Sequence, residues 1–280
     1  MFFALVALSR VIHAEPGLDA VLFCPQLDSA IRIDGMLDES VWKESPVLYL
    51  GRMGNLSPLL PARVRLFWNA HGLHVGFEVE DIDIRGQLAD RDGLLWRDGD
   101  VVEFFLSPGK GEVARYEVQV NPRGALLDIA LRPERGFDEC KAWNWPGMEW
   151  KARHEGSLND AAGDRSWTVE MALPWKPLVE AGAPPPAPGV ACFMLCYVMN
   201  HVALADGRMP RESTYWPIVS QETTSDVSQY GRLFLAGPDA ADMPVNGFAE
   251  VIEGAPPDAW TSAARLDARG RWVLPGAIDA

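Results

Sequence analysis

The stretch DVVEFFLSPGKGEVARYEVQVNPRGALLDIAL, residues 100–131, contains three short runs in which apolar and polar residues alternate. Turn-forming residues separate the runs, which cover 100–108, 114–122 and 125–131. Alternation with a period of two is typical of strands, and short turn-rich connections favour antiparallel hairpins. In the first run, Val101, Glu103 and Phe105 are predicted to share one face. The stretch therefore predicts an antiparallel meander.

The same pattern recurs on both sides of this stretch. Further strands are predicted at 62–69, 73–81, 150–156, 166–175, 191–200 and 230–236. Helical periodicity is confined to one turn in DESVWKES, with Asp38 as the expected N-cap, and to another turn after Pro174. Many short strands and few helices predict an all-β fold, an antiparallel β-sandwich of immunoglobulin or jelly-roll type over residues 20–237.

Composition limits the classes of ligand. The chain has 280 residues, 48% of them hydrophobic, which is enough for one sizeable core. Its formal net charge of −14 repels phosphate backbones and anionic lipids, so neither nucleic acid nor a membrane is an expected partner. A neutral ligand is favoured instead. Eleven tryptophans are many for this length; most are expected in the core, but sugar-binding proteins also use exposed ones.

The four cysteines form no C-x-x-C pair, so they predict neither a zinc ribbon nor a redox motif. Buried free thiols are the simplest interpretation. A Cys24–Cys140 disulfide stays open for an exported protein.

The two ends of the chain differ in character from the predicted sandwich. Residues 1–19 begin with an apolar run too short to span a bilayer, and IHA at 12–14 ends in the small residue expected before a signal-peptide cut. We interpret 1–19 as a clipped signal or leader segment, although the basic start is missing, and expect an extracellular or periplasmic protein. Residues 238–280 are interpreted as a linker and a separate extension.

An ordered set of segments resembles a known family. The set is IRIDGMLDESVW, ARVRLFWNAHGLHVGFEVEDIDI, LLWRDGDVVEFFLSP, RYEVQVNPRGALLD, RSWTVEMALPWKPL and YGRLFL. In this order and spacing the segments resemble the family 9 carbohydrate-binding modules over residues 28–237. The resemblance implies a sugar-binding β-sandwich, often attached to a glycoside hydrolase in a secreted protein. Carbohydrate, and an attached or neighbouring hydrolase domain, are therefore the expected partners.

The resemblance also implies a binding site. The family places a stacking tryptophan before a strand with a sugar-binding acidic residue, and an asparagine at the end of the next strand. These positions match Trp96, Glu103 and Asn121. An exposed indole can cover the apolar face of a pyranose, while carboxylate and amide groups bind its hydroxyls. Gln119 and Tyr116 complete the predicted set. In the alternative interpretation, Trp96 is an apolar plug over the end of the sandwich.

The sequence departs from the family pattern at two positions. Thr224 stands near the place of a second stacking tryptophan, and Gln119 stands where an arginine is expected. Half of the aromatic clamp is thus missing or supplied by another residue. The candidates for a replacement are Tyr116, Trp143, Trp145 and Trp216.

Calcium is the one cofactor that the resemblance introduces, as a structural ion in some members. Carboxylates are dense around VEDIDI, where Asp81 and Asp83 are the candidate ligands. The spacing of an EF-hand is absent, and a solvated acidic loop explains the same residues without a metal. No other cofactor is predicted.

Two other functions remain open. A glycosidase needs two carboxyl groups at one sugar bond, and no motif selects a pair among Glu78, Glu103, Glu117 and Glu170. A haem-binding sandwich would use Met199 and His201, although no C-x-x-C-H occurs.

The segment ARLDARGRWVLPGAIDA, residues 264–280, resembles the part of amidohydrolases just before their first metal-binding strand. It contains none of the metal-binding histidines, so we expect no activity from it. The principal prediction is a noncatalytic carbohydrate-binding module that recognises a neutral sugar or polysaccharide end and contributes to carbohydrate catabolism. The alternatives are a hydrolase of O-glycosyl compounds and an accessory domain of an amidohydrolase.

Overall fold

The computed structural model describes residues 20–97, 99–161, 163–202, 210–221 and 224–238, together with the secondary structure of 265–266 and 272–273. The predicted leader at 1–19 lies outside the described residues, as does most of the extension after 238.

The described chain is built mainly of strands. They are β1 (Val21–Cys24), β2 (Val47–Tyr49), β3 (Ala62–Trp68), β4 (Gly72–Glu80), β5 (Val101–Ser107), β6 (Arg115–Val120), β7 (Leu126–Leu131), β8 (Glu149–Glu155), β9 (Ser166–Pro174), β10 (Ala191–His201), β11 (Arg211–Trp216), β12 (Gly231–Leu235), β13 (Arg265–Leu266) and β14 (Trp272–Val273). The helices are α1 (Ser40–Glu44), α2 (Phe137–Lys141) and α3 (Lys176–Glu180), with 3₁₀ turns at Leu95–Arg97 and Val227–Gln229.

The strands form two stacked sheets and a small hairpin of β13 and β14. The front sheet has the order β1-β12-β10-β5-β6-β7, with β11 also paired to β10, and the back sheet has the order β2-β3-β4-β9-β8. The predicted all-β antiparallel sandwich is confirmed. One edge pair differs from the rest, because β1 runs parallel to β12. Nearly the whole sandwich separates these two strands in sequence, so no hairpin forces them to be antiparallel.

The main core lies between the sheets. Along β5, Val102, Phe104 and Leu106 face this core, so that the intervening residues of β5 face outward. The predicted shared face of Val101, Glu103 and Phe105 is therefore confirmed. We call the outer surface of the front sheet the front face and the outer surface of the back sheet the back face.

Short helices connect the strands at three places. The predicted turns after Asp38 and Pro174 are present as α1 and α3. Asp38 is not the cap, because Glu39 occupies the N-cap position of α1 and makes no side-chain capping bond. Helix α2, packed beside β7, was not anticipated. None of the helices in the described segments has the length and apolar character needed to cross a bilayer.

All four cysteines are free and buried. Cys24 lies in the core between the sheets, whereas Cys140 lies in the apolar cluster on the front face. The front sheet separates the two thiols, so the Cys24–Cys140 disulfide is ruled out.

Candidate functional site

The loop from β4 to β5 carries Trp96 onto the front face. Its two ends meet at a bridge between Gly86 and Gly99. A side chain at Gly99 would place its Cβ only 2.6 Å from the Arg85 carbonyl oxygen, so only glycine permits this approach. Farther along the loop, the Asp92 amide donates to the Leu126 carbonyl of β7 at 2.8 Å. The loop is thus fastened across the sheet rather than left free in solvent.

Trp96 sits in the 3₁₀ turn and is half-buried. It packs against the apolar cluster of the front face, whose fully buried members include Leu95, Val101 and Phe105. The guanidinium of the exposed Arg97 lies 4.6 Å from the centroid of the indole ring. Trp96 therefore combines the two sequence-based interpretations, since one part of the ring covers an apolar cluster and another meets a cation at the surface.

Glu103 projects from β5 onto the same face. Tyr197 of β10 is directly opposite on one side, and Gln119 of β6 is opposite on the other. The Glu103 residue is 4% exposed, yet its carboxyl group forms no hydrogen bond or ion pair with any described residue. Burial raises the pKa of Glu103 well above its usual range, and the nearby Glu117 raises it further, while Arg115 lowers it. A largely buried carboxyl group with a raised pKa and no partner among the described residues is typical of ligand sites.

The neighbouring polar side chains form a short network beside Glu103. The amide nitrogen of Gln119 donates to Glu117 at 2.6 Å, while the buried amide oxygen of Gln119 has no partner among the described residues. Arg115 lies 3.6 Å from the other oxygen of Glu117 and donates to the Ser225 carbonyl at 3.2 Å. Burial raises the pKa of Glu117, whereas Arg115 and Gln119 lower it. The row Tyr197–Glu103–Gln119 therefore presents one unpartnered carboxyl group and one unpartnered amide oxygen on the front face.

Asn121 directly follows the strand that carries Gln119, but both polar atoms of its side chain are already hydrogen-bonded within the protein. Its side-chain nitrogen donates to the Leu88 carbonyl at 2.8 Å, and its side-chain oxygen accepts from the Ala125 amide at 2.9 Å. The first bond ties the loop that carries Trp96 to the β6–β7 turn. The structure thus gives Asn121 a positioning role, which the sequence pattern does not distinguish from direct ligand binding.

Tyr116 does not join the other predicted residues. It is 1% exposed and lies in the core between the sheets, where its ring centroid is 5.1 Å from that of Trp145. Trp143, Trp145 and Trp216 also pack in or against this core. None of the four can replace a second stacking residue on the front face. At Thr224, near the position expected for the second tryptophan, the backbone carbonyl accepts a hydrogen bond from the Tyr230 hydroxyl at 2.6 Å.

The candidate calcium ligands lie elsewhere, at the end of β4. Asp81 accepts from the Asp83 amide at 2.9 Å, and Asp83 binds the Arg85 guanidinium at 2.9 Å. One buried oxygen of each aspartate lacks a partner, but calcium takes six to eight oxygens. Across the described parts of the chain, no three acidic, histidine or cysteine side chains are grouped so as to hold a metal ion. The Arg85 guanidinium already binds one of the two candidate ligands, Asp83, and calcium at this position stays a prediction.

The remaining candidates have structural partners. The Nδ1 atom of His201 lies 3.0 Å from Asp100 and is hydrogen-bonded to it. Met199 is 4% exposed and packs in the front-face cluster. These two residues therefore offer haem no pair of open ligands.

Glu170, one of the glycosidase candidates, lies on the back sheet. It accepts hydrogen bonds from the amides of Asp34 and Gly35 and from the Trp42 indole. Burial raises the pKa of Glu170 to about 7, although these three bonds lower it.

Comparison with known proteins places the chain in a family. The model of the carbohydrate family 9 binding domain-like family matches residues 33–238, which is most of the chain, so the chain belongs to this family. No curated protein sequence matches it significantly.

Several solved structures have a similar fold. A candidate carbohydrate-binding protein from Bacteroides uniformis is 16% identical, with a TM-score of 0.57, over 76% of this chain and 97% of its own. A family 9 carbohydrate-binding module from Caldicellulosiruptor kristjanssonii, in complex with cellotriose, is 16% identical, with a TM-score of 0.51, over 80% of this chain and 98% of its own. A family 9 module from the same organism, in complex with glucose, is 15% identical, with a TM-score of 0.50, over 77% of this chain and 95% of its own. At these identities the likeness concerns the fold.

Proposed function

We propose that the chain is a noncatalytic module that binds a neutral sugar or polysaccharide end on the front face, and that it contributes to carbohydrate catabolism. The observation that carries the proposal is the Glu103 carboxyl group, which has no partner among the described residues, beside the buried amide oxygen of Gln119, which also has none there. Sugar hydroxyls can donate to the amide oxygen and to an ionised Glu103, or accept a hydrogen bond from a protonated Glu103.

Several features support a neutral sugar over other ligands. Glu103 and Glu117 face the ligand side, and Arg115 lies beyond Glu117 on the same strand, so an anionic sugar would meet two carboxyl groups near one guanidinium group. Trp96 offers an aromatic surface at the edge of the same face. The family and the two sugar complexes among its structural neighbours favour this chemistry. Secretion and a neighbouring hydrolase domain belong to the same proposal, as the setting in which such a module is used.

The test is a calorimetric titration with a panel of neutral sugars, including glucose, xylose, cellotriose and xylotriose. Wild-type protein is expected to bind at least one sugar with a Kd in the micromolar to millimolar range. Trp96→Ala should weaken that binding about tenfold or more. Because Trp96 is only half-buried, the substitution should cost about 1–2 kcal/mol of stability, below the 3–5 kcal/mol of a buried aromatic. Phe137→Ala, which removes an aromatic ring that is 53% exposed, is the matched control and should leave the sugar affinity unchanged.

One observation favours hydrolysis as a second candidate function. Glu103 and Glu117 lie on one face at diagonal positions of adjacent strands, and both have raised pKa values. A glycosidase uses two carboxyl groups that flank one sugar bond. Release of reducing sugar by the wild type, lost in both Glu103→Gln and Glu117→Gln, would establish hydrolysis. We expect no turnover, because Glu117 is held by Gln119 and Arg115.

A further inference from the structure

A second polar groove lies on the back face. Strand register places Tyr49 opposite Arg63, Arg63 opposite Glu78, and Glu78 opposite Thr168. The row borders a cavity of about 170 Å³, whose lining also includes Pro61, Glu80 and Ser166. The residues that alternate with this row, such as Val64 and Phe77, point into the core between the sheets. The groove and the proposed sugar site are therefore on opposite faces of the sandwich.

Tyr49 supplies the aromatic surface of this groove. It is 39% exposed on the edge strand β2, and its hydroxyl has no partner among the described residues. An exposed phenol ring at a cavity edge can cover the apolar face of a sugar, while its hydroxyl hydrogen-bonds to the ring substituents.

Glu78 supplies a carboxylate whose position is fixed. It pairs with Arg63 and, at 3.2 Å, with Arg65. Arg65 is itself held by a hydrogen bond to the Trp42 carbonyl at 2.8 Å. The carboxylate is thus oriented before any ligand arrives, which lowers the entropic cost of binding.

The charges of the groove select for an uncharged ligand. Two carboxylates, Glu78 and Glu80, line the cavity, and Glu78 is paired with the guanidinium groups of both Arg63 and Arg65. Because these opposite charges offset each other, the groove offers no excess of charge to attract an ion. Ser166 adds a hydroxyl, and Thr168, whose hydroxyl donates to the Gly35 carbonyl, keeps its oxygen as an acceptor. Polyhydroxylated ligands match such a lining of carboxylate, guanidinium and hydroxyl groups.

The size of the cavity indicates how a ligand would lie. Pockets for drug-sized ligands have volumes of about 300–1,000 Å³, so a cavity of about 170 Å³ takes a single sugar residue. The row continues past the cavity to the exposed Arg153, which lies opposite Thr168 on β8. A longer chain can therefore continue across the open sheet.

We propose that this groove is a second carbohydrate-binding site, which takes one residue of a neutral glycan chain, and that the module thereby engages polysaccharide on both faces. The groove goes beyond the front-face site and shares no residue with it. Each site is expected to be weak, but two sites on one rigid module increase retention on a polymer that reaches both.

The test uses NMR titration of the full chain carrying Trp96→Ala and Glu103→Gln, so that the front-face site is removed. The probes are cellohexaose, xylohexaose, mannohexaose and laminarihexaose. At least one hexaose should shift the backbone amides of Tyr49, Arg63 and Ser166 along a saturable curve. Adding Tyr49→Ala should weaken this binding at least tenfold, whereas Tyr49→Phe, which keeps the ring, should change it less than threefold. Phe137→Ala, at an exposed aromatic far from the row in sequence, serves as the control and should have no effect.

Each other outcome overturns the proposal. Absence of saturable shifts in the groove with all four hexaoses would show that it binds none of these glycan chains, and shifts that survive Tyr49→Ala would place any binding elsewhere. A response of these amides to inorganic phosphate, without a response to any hexaose, would identify an anion site. Failure of the front-face site is recognised separately, because wild-type affinity would then be unchanged by Trp96→Ala and Glu103→Gln alone.

Discussion

Removal of the Arg97 side chain should strengthen sugar binding at the front face. The guanidinium lies 4.6 Å from the centroid of the Trp96 ring, on an exposed part of the loop. A sugar that stacks on this side of the indole must first displace it. Exposed cation–π pairs contribute about 0.5–1 kcal/mol. Because about 1.4 kcal/mol corresponds to a tenfold change in Kd, Arg97→Ala should lower the Kd about two- to fivefold.

The assay is calorimetric titration with the sugar of the panel that binds wild type most tightly. Lys110→Ala removes the same charge from the exposed β5–β6 turn and controls for the change in net charge. Its affinity should equal that of the wild type. If Arg97→Ala weakens binding, Arg97 is itself a sugar ligand. If the affinity is unchanged, the sugar does not use this side of the indole, and either result refutes the stacking geometry.

Three further substitutions test buried polar side chains, two of them at or beside the site. Glu103→Gln should weaken sugar binding about tenfold, the effect of losing one hydrogen bond between the carboxyl group and a sugar hydroxyl. Because the folded pKa of Glu103 is raised, the variant should also gain stability over wild type as pH rises above about 4.5 in urea unfolding. Burial and the neighbouring Asp100 raise the pKa of Asp81 to about 8, so wild-type stability contributed by this group is lost between pH 3.8 and about 8. Asp81→Asn should remove that part of the pH slope, and an unchanged slope would contradict the buried carboxyl pair. Asn121→Ala should cost about 1–3 kcal/mol and speed hydrogen exchange in the loop around Leu88, whereas an intact loop with reduced affinity would point to direct ligand binding.

The strands could be predicted because the alternation of apolar and polar residues follows the alternation of buried and exposed side chains along a strand. The pattern in 100–108 is sufficient to place Val101, Glu103 and Phe105 on one face, and this is the face that carries the candidate site. The same alternation places Tyr116 and Gln119 on opposite faces of β6. The two residues are three positions apart on one strand, so they must point to opposite faces. Both residues were predicted for the site, Gln119 at a family position and Tyr116 as a replacement aromatic, and the period of the strand decides between them.

The partners of the site residues could not be predicted, because they depend on contacts between distant segments. Tyr197 lies opposite Glu103 only because β10 pairs with β5, and no local signal in either strand shows this pairing. Asn121 resembles a ligand residue until its bond to Leu88 is known. Glu170 is a strand carboxylate by pattern, but it anchors Gly35, which is 135 positions away. Sequence periodicity gives the direction of a side chain, whereas its role depends on what the fold places beside it.

The most direct test of the front-face site is a crystal structure with the tightest-binding sugar of the panel. We expect a pyranose ring stacked on the indole of Trp96, with a hydroxyl at about 2.6–3.2 Å from the carboxyl group of Glu103 and another near the free amide oxygen of Gln119. A sugar bound elsewhere, with Glu103 still lacking any partner, would contradict the assignment of this face.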